Sequence, residues 1–174
     1  VATLHTRQTQ PPLSLSPIWR EIHKSHFSPT DRVFVRVQAI TRLGENDPSL
    51  RELCLRRNMW SFVKKRTDRI NDIPTVARVL KQNTVLQQLD LSRNKVGDEG
   101  ACWLAEALQV NTTLQQLNIS RNNIGVEGTR WLAIALEINT SLQQLDIAGN
   151  RFGPEGSRFL ASALKTNTSL QQLN

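Results

Sequence analysis

Polar residues that could bind or react recur at a fixed spacing in the second half of this 174-residue chain. Gln88, Asp90 and Arg93 surround leucines at alternating positions, and similar side chains return at regular intervals further along the chain. Amide, carboxylate and guanidinium groups held in rows can bind another protein over a large area, with arginine as an anchor. The alternative is that the rows bond only to one another and to water. We predict that the partner-binding residues are Arg56, Arg57, Gln88, Asp90, Ser92, Arg93, Gln116, Asn118, Ser120, Arg121, Gln144 and Asp146.

The residue types that carry catalysis form no recognisable site in the sequence. His23 and His26 are three residues apart, without the cysteine or carboxylate pattern that would complete a metal site. The G-x-x-x-x-G-K-[ST] phosphate loop is missing from the sequence. Cys54 falls in the strand half of one repeat and Cys102 in the helix half of the next, which favours inert thiols over a pair of nucleophiles. We therefore predict a protein that is not an enzyme and uses no cofactor and no metal.

The polar rows depend on a 28-residue repeat. Residues 86–113, 114–141 and 142–169 each begin with LQQL, and a partial copy occupies 170–174. Each copy opens with apolar residues at alternating positions, typical of a strand, and closes with apolar spacings of three and four, typical of a helix. One copy is too short to bury its own apolar face, so successive copies must stack. The sequence predicts an α/β fold: a right-handed solenoid with a parallel concave sheet and convex helices.

Glycines and asparagines mark the turns of each copy. Gly97 and Gly100, with their equivalents, are predicted to let the chain bend from strand into helix. Glu99 and its equivalents fall where a helix start favours carboxylates. The helices are predicted to end near Asn111, Asn139 and Asn167. A hydrogen-bonded ladder between repeats is predicted at the strand ends, formed by Asn58, Asn94, Asn122 and Asn150.

One aromatic position recurs on the predicted helices. Trp103, Trp131 and Phe159 occupy the same place in successive repeats, and each stands beside a leucine. We predict that they pack against the next helix. The alternative is an exposed aromatic ridge for a partner.

The repeated residues resemble a known family. The pattern L-x-x-L-x-[LI]-x-x-N, followed by G-x-E-G and a helix containing A-L, is similar to the leucine-rich repeats of the ribonuclease-inhibitor type. The same long repeats occur in NOD-like receptors and in the Ran GTPase-activating protein. The resemblance implies a protein-binding module that is a fragment of a larger intracellular regulatory or receptor protein, located in the cytoplasm. It also permits an alternative function, activation of GTP hydrolysis by a small GTPase.

The first half of the chain departs from the regular repeat. Residues 50–85 form a divergent repeat that is eight residues longer, with Asp72 as a helix cap and Pro74 as an early helical residue. A rival interpretation makes 50–65 one helix. Residues 32–45 are predicted to form a cap helix at the start of a repeat domain that covers 32–174, and 1–31 an irregular or disordered segment that could contain a short helix.

The positive charge is concentrated in this first half. Residues 1–85 contain 15 Lys and Arg against 7 Asp and Glu, whereas 86–174 contain 7 against 8. The densest part is 51–69, which offers an alternative function, binding of an anionic partner or nucleic acid. No apolar run approaches the roughly 20 residues that a membrane span needs, so we predict no membrane association.

Overall fold

The fold is a series of strand and helix units that stack in chain order. The computed structural model describes residues 38–56 and 73–174. Their elements, in order, are α1 (38–44), β1 (Glu52–Cys54), α2 (Ile73–Leu80), β2 (Gln88–Asp90), α3 (Gly97–Val110), β3 (Gln116–Asn118), α4 (Val126–Ile138), β4 (Gln144–Asp146), α5 (Gly153–Ala163) and β5 (Gln172–Leu173).

The five strands form one parallel sheet in the order β1-β2-β3-β4-β5. The register places Leu89 beside Leu117 and Leu117 beside Leu145, so that equivalent leucines of successive repeats are neighbours. The first step is longer, because Leu53 pairs with Leu89 across the divergent repeat. The predicted α/β solenoid is therefore confirmed. The rival interpretation, in which 50–65 form one helix, is wrong for residues 52–54, because they form strand β1.

The core lies between the sheet and the helices. Leu89, Leu117 and Leu145 are at most 2% exposed, and they meet buried helix residues such as Leu104 and Leu132. Helices α2 to α5 each pack on the next. Burial of a leucine side chain contributes about 1.5 to 3 kcal/mol, so these aligned leucines supply much of the stability. In α1, Ala39 and Leu43 belong to the same core.

The asparagine ladder at the strand ends is present. The side-chain amide of Asn122 donates to the backbone carbonyl of Leu91 at 2.9 Å, and its oxygen accepts the Asn94 N–H at 2.6 Å. Asn150 repeats both contacts one repeat later, with the Ile119 carbonyl at 3.0 Å and the Asn122 N–H at 2.9 Å. Each asparagine thus joins two repeats by satisfying backbone groups that the turns leave unpaired.

A second asparagine ladder lies at the helix ends. The sequence predicted only that the helices end near these asparagines. The Asn139 amide donates to the carbonyls of Leu108 at 2.7 Å and Asn111 at 3.1 Å. Its oxygen accepts the Leu142 N–H at 2.7 Å, which starts the next repeat. The corresponding bonds are made by Asn83, Asn111 and Asn167. These side chains fix the chain as it passes from helix to strand.

The two glycines of a turn have different roles, which corrects our prediction that both supply bending. The first glycine is left-handed in two of the three turns, whereas Gly125 has φ of −95°. Gly97 and Gly153 have φ of +65° and +57°, where glycine is favoured. Gly128 is buried, and a Cβ there would lie 2.9 Å from the Cα of Asp98. The second glycine is therefore needed for close packing rather than for a bend.

Several predictions concern residues outside the described ranges. They are the segment 1–31, the start of the cap helix, His23, His26, Arg57, Asn58, Asp72 and most of the basic segment 51–69. Pro74 is the second residue of α2, as predicted. Within 38–56 and 73–174, no helix combines the length and apolarity that crossing a bilayer requires.

Candidate functional site

The outward side chains of the sheet line one groove. Because side chains alternate along a strand, the residues on either side of each buried leucine face away from the core. They enclose a groove of about 480 Å³, which we call the sheet groove. Its first row is Glu52, Gln88, Gln116, Gln144 and Gln172, and its second row is Cys54, Asp90, Asn118, Asp146 and Asn174.

The second row also holds the strand ends in place. Oδ1 of Asp90 accepts the Ser92 N–H at 2.8 Å, and Oδ1 of Asp146 accepts the Ala148 N–H at 3.0 Å. The Asn118 oxygen makes the same bond to the N–H two residues on. Such side-chain bonds define Asx turns. Each aspartate therefore uses Oδ1 for the turn, and Oδ2 of Asp90 also accepts the thiol of Cys54 in the same row.

The two serines of the predicted site belong to these turns. Ser92 is 3% exposed, so it is not an accessible contact for a partner, which corrects the prediction. Ser120 is half-buried, and its hydroxyl donates to Asn118 Oδ1 at 2.7 Å. Their small hydroxyl side chains suit the tight turn after each strand.

Arginines border the groove where the strands end. Arg93 and Arg121 occupy equivalent positions, with φ of +62° and +56°, and the third equivalent is Gly149 with φ of +69°. The side chain of Arg121 lies along Gly149, because a Cβ on that glycine would be 2.9 Å from Arg121 Cγ. Partial burial and the charges of Arg121 and Arg56 lower the pKa of Arg93. Arg56, Arg93 and Arg121 form what we call the arginine rim.

The thiols are poor nucleophiles. Burial raises the pKa of Cys54 to about 11, and the charge of Asp90 adds to the effect. The Cys54 thiol donates to Asp90 Oδ2 at 3.7 Å. Burial also raises the pKa of Cys102. Because the thiolate is the reactive form, both cysteines stay in the unreactive thiol form at neutral pH.

The helical aromatics are more exposed than we predicted. Trp103 and Trp131 are 38% and 44% exposed, whereas Phe159 is partly buried against the core. The reason is the helical angle of about 100° between neighbouring residues. Leu104 and Leu132 point into the core, so the tryptophans before them are turned toward solvent.

A comparison with known protein families shows which family contains this chain. The model of the TMOD/LMOD leucine-rich domain matches residues 35–174. The chain belongs to this family. The leucine-rich-repeat resemblance seen in the sequence is thereby confirmed, but the narrower resemblance to the ribonuclease-inhibitor type, to NOD-like receptors and to the Ran activator is not. The repeat motif specifies the residues of the core and of the turns. Because leucine-rich-repeat families share these residues, the motif could not show which of the families this chain belongs to.

Solved structures of this family have the same fold. A structure titled Leiomodin-1 Actin-Binding Site 2 has a TM-score of 0.68 and 25% identity, covering 79% of this chain and 76% of that one. The C-terminal domain of tropomodulin from Caenorhabditis elegans has a TM-score of 0.65 and 21% identity, covering 79% and 80%. The tropomodulin likeness carries the fold alone. Among curated proteins, none matches this chain.

Proposed function

We propose that this leucine-rich domain is a protein-binding module rather than an enzyme, that its partner occupies the sheet groove, and that the partner is actin. The observation that carries the proposal is the groove itself: two rows of polar side chains held in register by a five-stranded sheet. The choice of actin is supported by the similar leiomodin-1 structure, whose title describes an actin-binding site.

The chemistry of the groove defines what its partner must offer. The four glutamines of the first row supply amides, which both donate and accept hydrogen bonds, and the second row supplies the carboxylates of Asp90 and Asp146. The arginine rim adds positive charge along one border. A partner that fits the groove therefore presents polar groups to the two rows and acidic side chains opposite Arg93 and Arg121. Complementary charges of this kind mainly set specificity and the association rate.

Binding of the full chain to actin, measured with and without the arginine rim, tests the proposal. The double variant Arg93→Ala/Arg121→Ala removes two guanidinium groups from the groove border. We expect it to weaken actin binding by about tenfold, the usual loss when arginine anchors are removed. The matched control is Arg130→Ala/Arg158→Ala, which removes the same charge from exposed positions on α4 and α5.

The controls test two questions separately: whether actin is the partner, and whether the sheet groove is the surface that binds it. Equal weakening by the two double variants would mean that overall charge, and not the groove, holds actin. Parent protein that binds neither monomeric nor filamentous actin would disprove actin as the partner. Thermal melting of each variant shows whether the fold is intact, because a loss of binding counts only in a folded protein.

A further inference from the structure

Helices α3 and α4 present large apolar side chains to solvent. Trp103 and Val110 on α3 are 38% and 57% exposed, and Trp131 and Ile138 on α4 are 44% and 57% exposed. Residues seven apart lie on one face of a helix, so each pair is aligned along its helix. Since α3 packs against α4, the four side chains share one surface, which we call the tryptophan patch.

The exposed pairs are found on these two helices. The positions equivalent to Trp103 and Val110 in the preceding unit are Thr75 and Gln82, and in the unit after α4 they are Phe159, which is partly buried against the core, and Thr166. Scattered exposed apolar residues are ordinary in proteins, whereas an aligned group bordered by polar residues marks an interaction surface. The sheet groove lies on the opposite side of the core, so the two surfaces are separate.

Carboxylates line one border of the patch. Glu99 and Glu127 are exposed, and each precedes a tryptophan of the patch by four residues, one helical turn. Together, α3 and α4 contain five carboxylates and one arginine, a net charge of −4. Glu106 is paired with Lys81 at 2.8 Å, and Glu127 is 3.9 Å from Arg130. The surface thus combines an apolar centre with an acidic border, although the whole chain is basic.

We propose that the tryptophan patch is a docking site for a basic amphipathic helix of another protein. Such a helix would place apolar residues on Trp103 and Trp131 and lysines or arginines beside Glu99 and Glu127. Packed helices lie about 8 to 10 Å apart, and seven residues of a helix span about 10 Å. A helix that crosses α3 and α4 therefore meets both tryptophans with apolar residues seven positions apart.

The negative charge that borders the tryptophan patch favours a basic helix over other partners. An anionic membrane or a nucleic acid would be repelled by the glutamates that border the patch. A second copy of this chain would bring two acidic borders together, which is unfavourable. A basic segment alone gains both from burial of its apolar face and from the carboxylates.

A synthetic peptide tests the proposal directly. The probe is a fluorescently labelled, lysine-rich helical peptide with leucines at seven-residue intervals, titrated with the full chain while its anisotropy is followed. We expect binding that weakens as salt is raised. The variant Trp103→Ser/Trp131→Ser should bind the peptide about tenfold more weakly. Both tryptophans are exposed, so the variant should fold, and its melting temperature checks this.

The acidic border is tested by charge reversal. Glu127→Lys should lose most of the peptide affinity, whereas Glu45→Lys makes the same change of charge at an exposed site away from both the patch and the sheet groove and should retain it. Equal losses in the two charge variants, or unchanged binding after both tryptophans are replaced, would overturn the proposal. So would light scattering that reveals a dimer of the chain abolished by the tryptophan substitutions. Actin is absent from these assays, so their outcome is independent of the actin proposal.

Discussion

Arg93 and Arg121 hold backbone angles that suit glycine better than arginine. A residue with a side chain in the left-handed region costs roughly 1 to 2 kcal/mol, and Gly149 takes the same conformation in the next repeat without that cost. Lys95 and Asn123 hold the same conformation, with φ of 59° in each, so the left-handed angles belong to the turn that follows each strand and are not confined to the arginines.

Substitution of Arg121 separates its backbone role from its side-chain role. Arg121→Gly relieves the left-handed strain and should leave the free energy of unfolding equal to the parent or raise it by up to about 1 kcal/mol. Arg121→Ala keeps the strain and should be nearly neutral. Urea denaturation of both variants measures the difference. If the glycine variant were the less stable of the two, the strain argument would be wrong, whatever its effect on a partner.

At the scale of the elements, one repeat caps the helix of the next. The cap residue of α4 is Gly125, which has no side chain to satisfy the free N–H groups of the first turn. Asp98, in the first turn of α3, supplies the acceptor instead. Its Oδ1 accepts the Gly125 N–H at 2.6 Å and the Gly128 N–H at 3.0 Å. This carboxylate also meets the positive end of the α4 dipole.

Removal of this cap should weaken the contact between two repeats. We expect Asp98→Ala to lower the free energy of unfolding by about 1 kcal/mol, the usual cost of losing a capping side chain. Asp98→Asn should cost less, since the amide oxygen can still accept both bonds. Chemical denaturation provides the measurement, and Glu99→Ala, an exposed carboxylate one residue away, is the control. A control variant as destabilised as Asp98→Ala would exclude the cap.

A carboxylate also fixes the turn between α1 and β1. Asp47 pairs with Arg42 at 2.6 Å and accepts the Ser49 N–H at 2.9 Å. The bond to Arg42, with those to Ser49, lowers the pKa of Asp47 to about 2. A lowered pKa means that the ionised form stabilises the folded state: the contribution is complete above the ordinary value near 3.8 and is lost as the pH falls through 2.

The effect of Asp47→Asn on stability should therefore depend on pH. At pH 7 we expect a loss of about 1 kcal/mol or less, because this ion pair is near the surface. The difference should shrink as the pH falls toward 2 and vanish below it, since the Asp47 carboxyl group then becomes neutral like the amide of the variant. Thermal melting at a series of pH values compares them. A gap that stays constant from pH 7 to pH 2 would show that ionisation of Asp47 does not contribute.

The difference between prediction and structure follows from these contacts. Strands, helices and the inward leucines could be read from the sequence, because alternation and helical spacing are local properties. The Asp98 cap and the second asparagine ladder could not, since each bond crosses from one repeat to its neighbour. The sequence nevertheless contained one indication of the second ladder. An asparagine recurs at the position of Asn111 and Asn139 in every regular repeat, with Thr or Ser two positions later. The burial of Ser92 was missed because alternation fails where a strand ends in a turn.

At the scale of the whole molecule, stability should vary along the solenoid. Each repeat contacts its neighbours alone, so its protection depends on having a repeat on both sides. Leu108 and Leu136 are buried between helices, whereas the equivalent Leu164 on the last helical turn is 39% exposed. On the sheet, Leu117 is 2% exposed, and its counterpart Leu173 in the edge strand β5 is only partly buried.

Hydrogen exchange of the isolated chain should reveal this gradient. The Gln172 and Asn174 N–H groups bond to carbonyls of the preceding repeat, but β5 has a strand on one side and little apolar cover, so it can open without disturbing the rest. We expect amides of β5 to exchange much faster than those of β3, which lies between two strands. Equal protection of Leu117 and Leu173 would contradict a nearest-neighbour solenoid. The same experiment with actin added would then show whether bound partner protects β2 to β4, the strands that carry the complete groove.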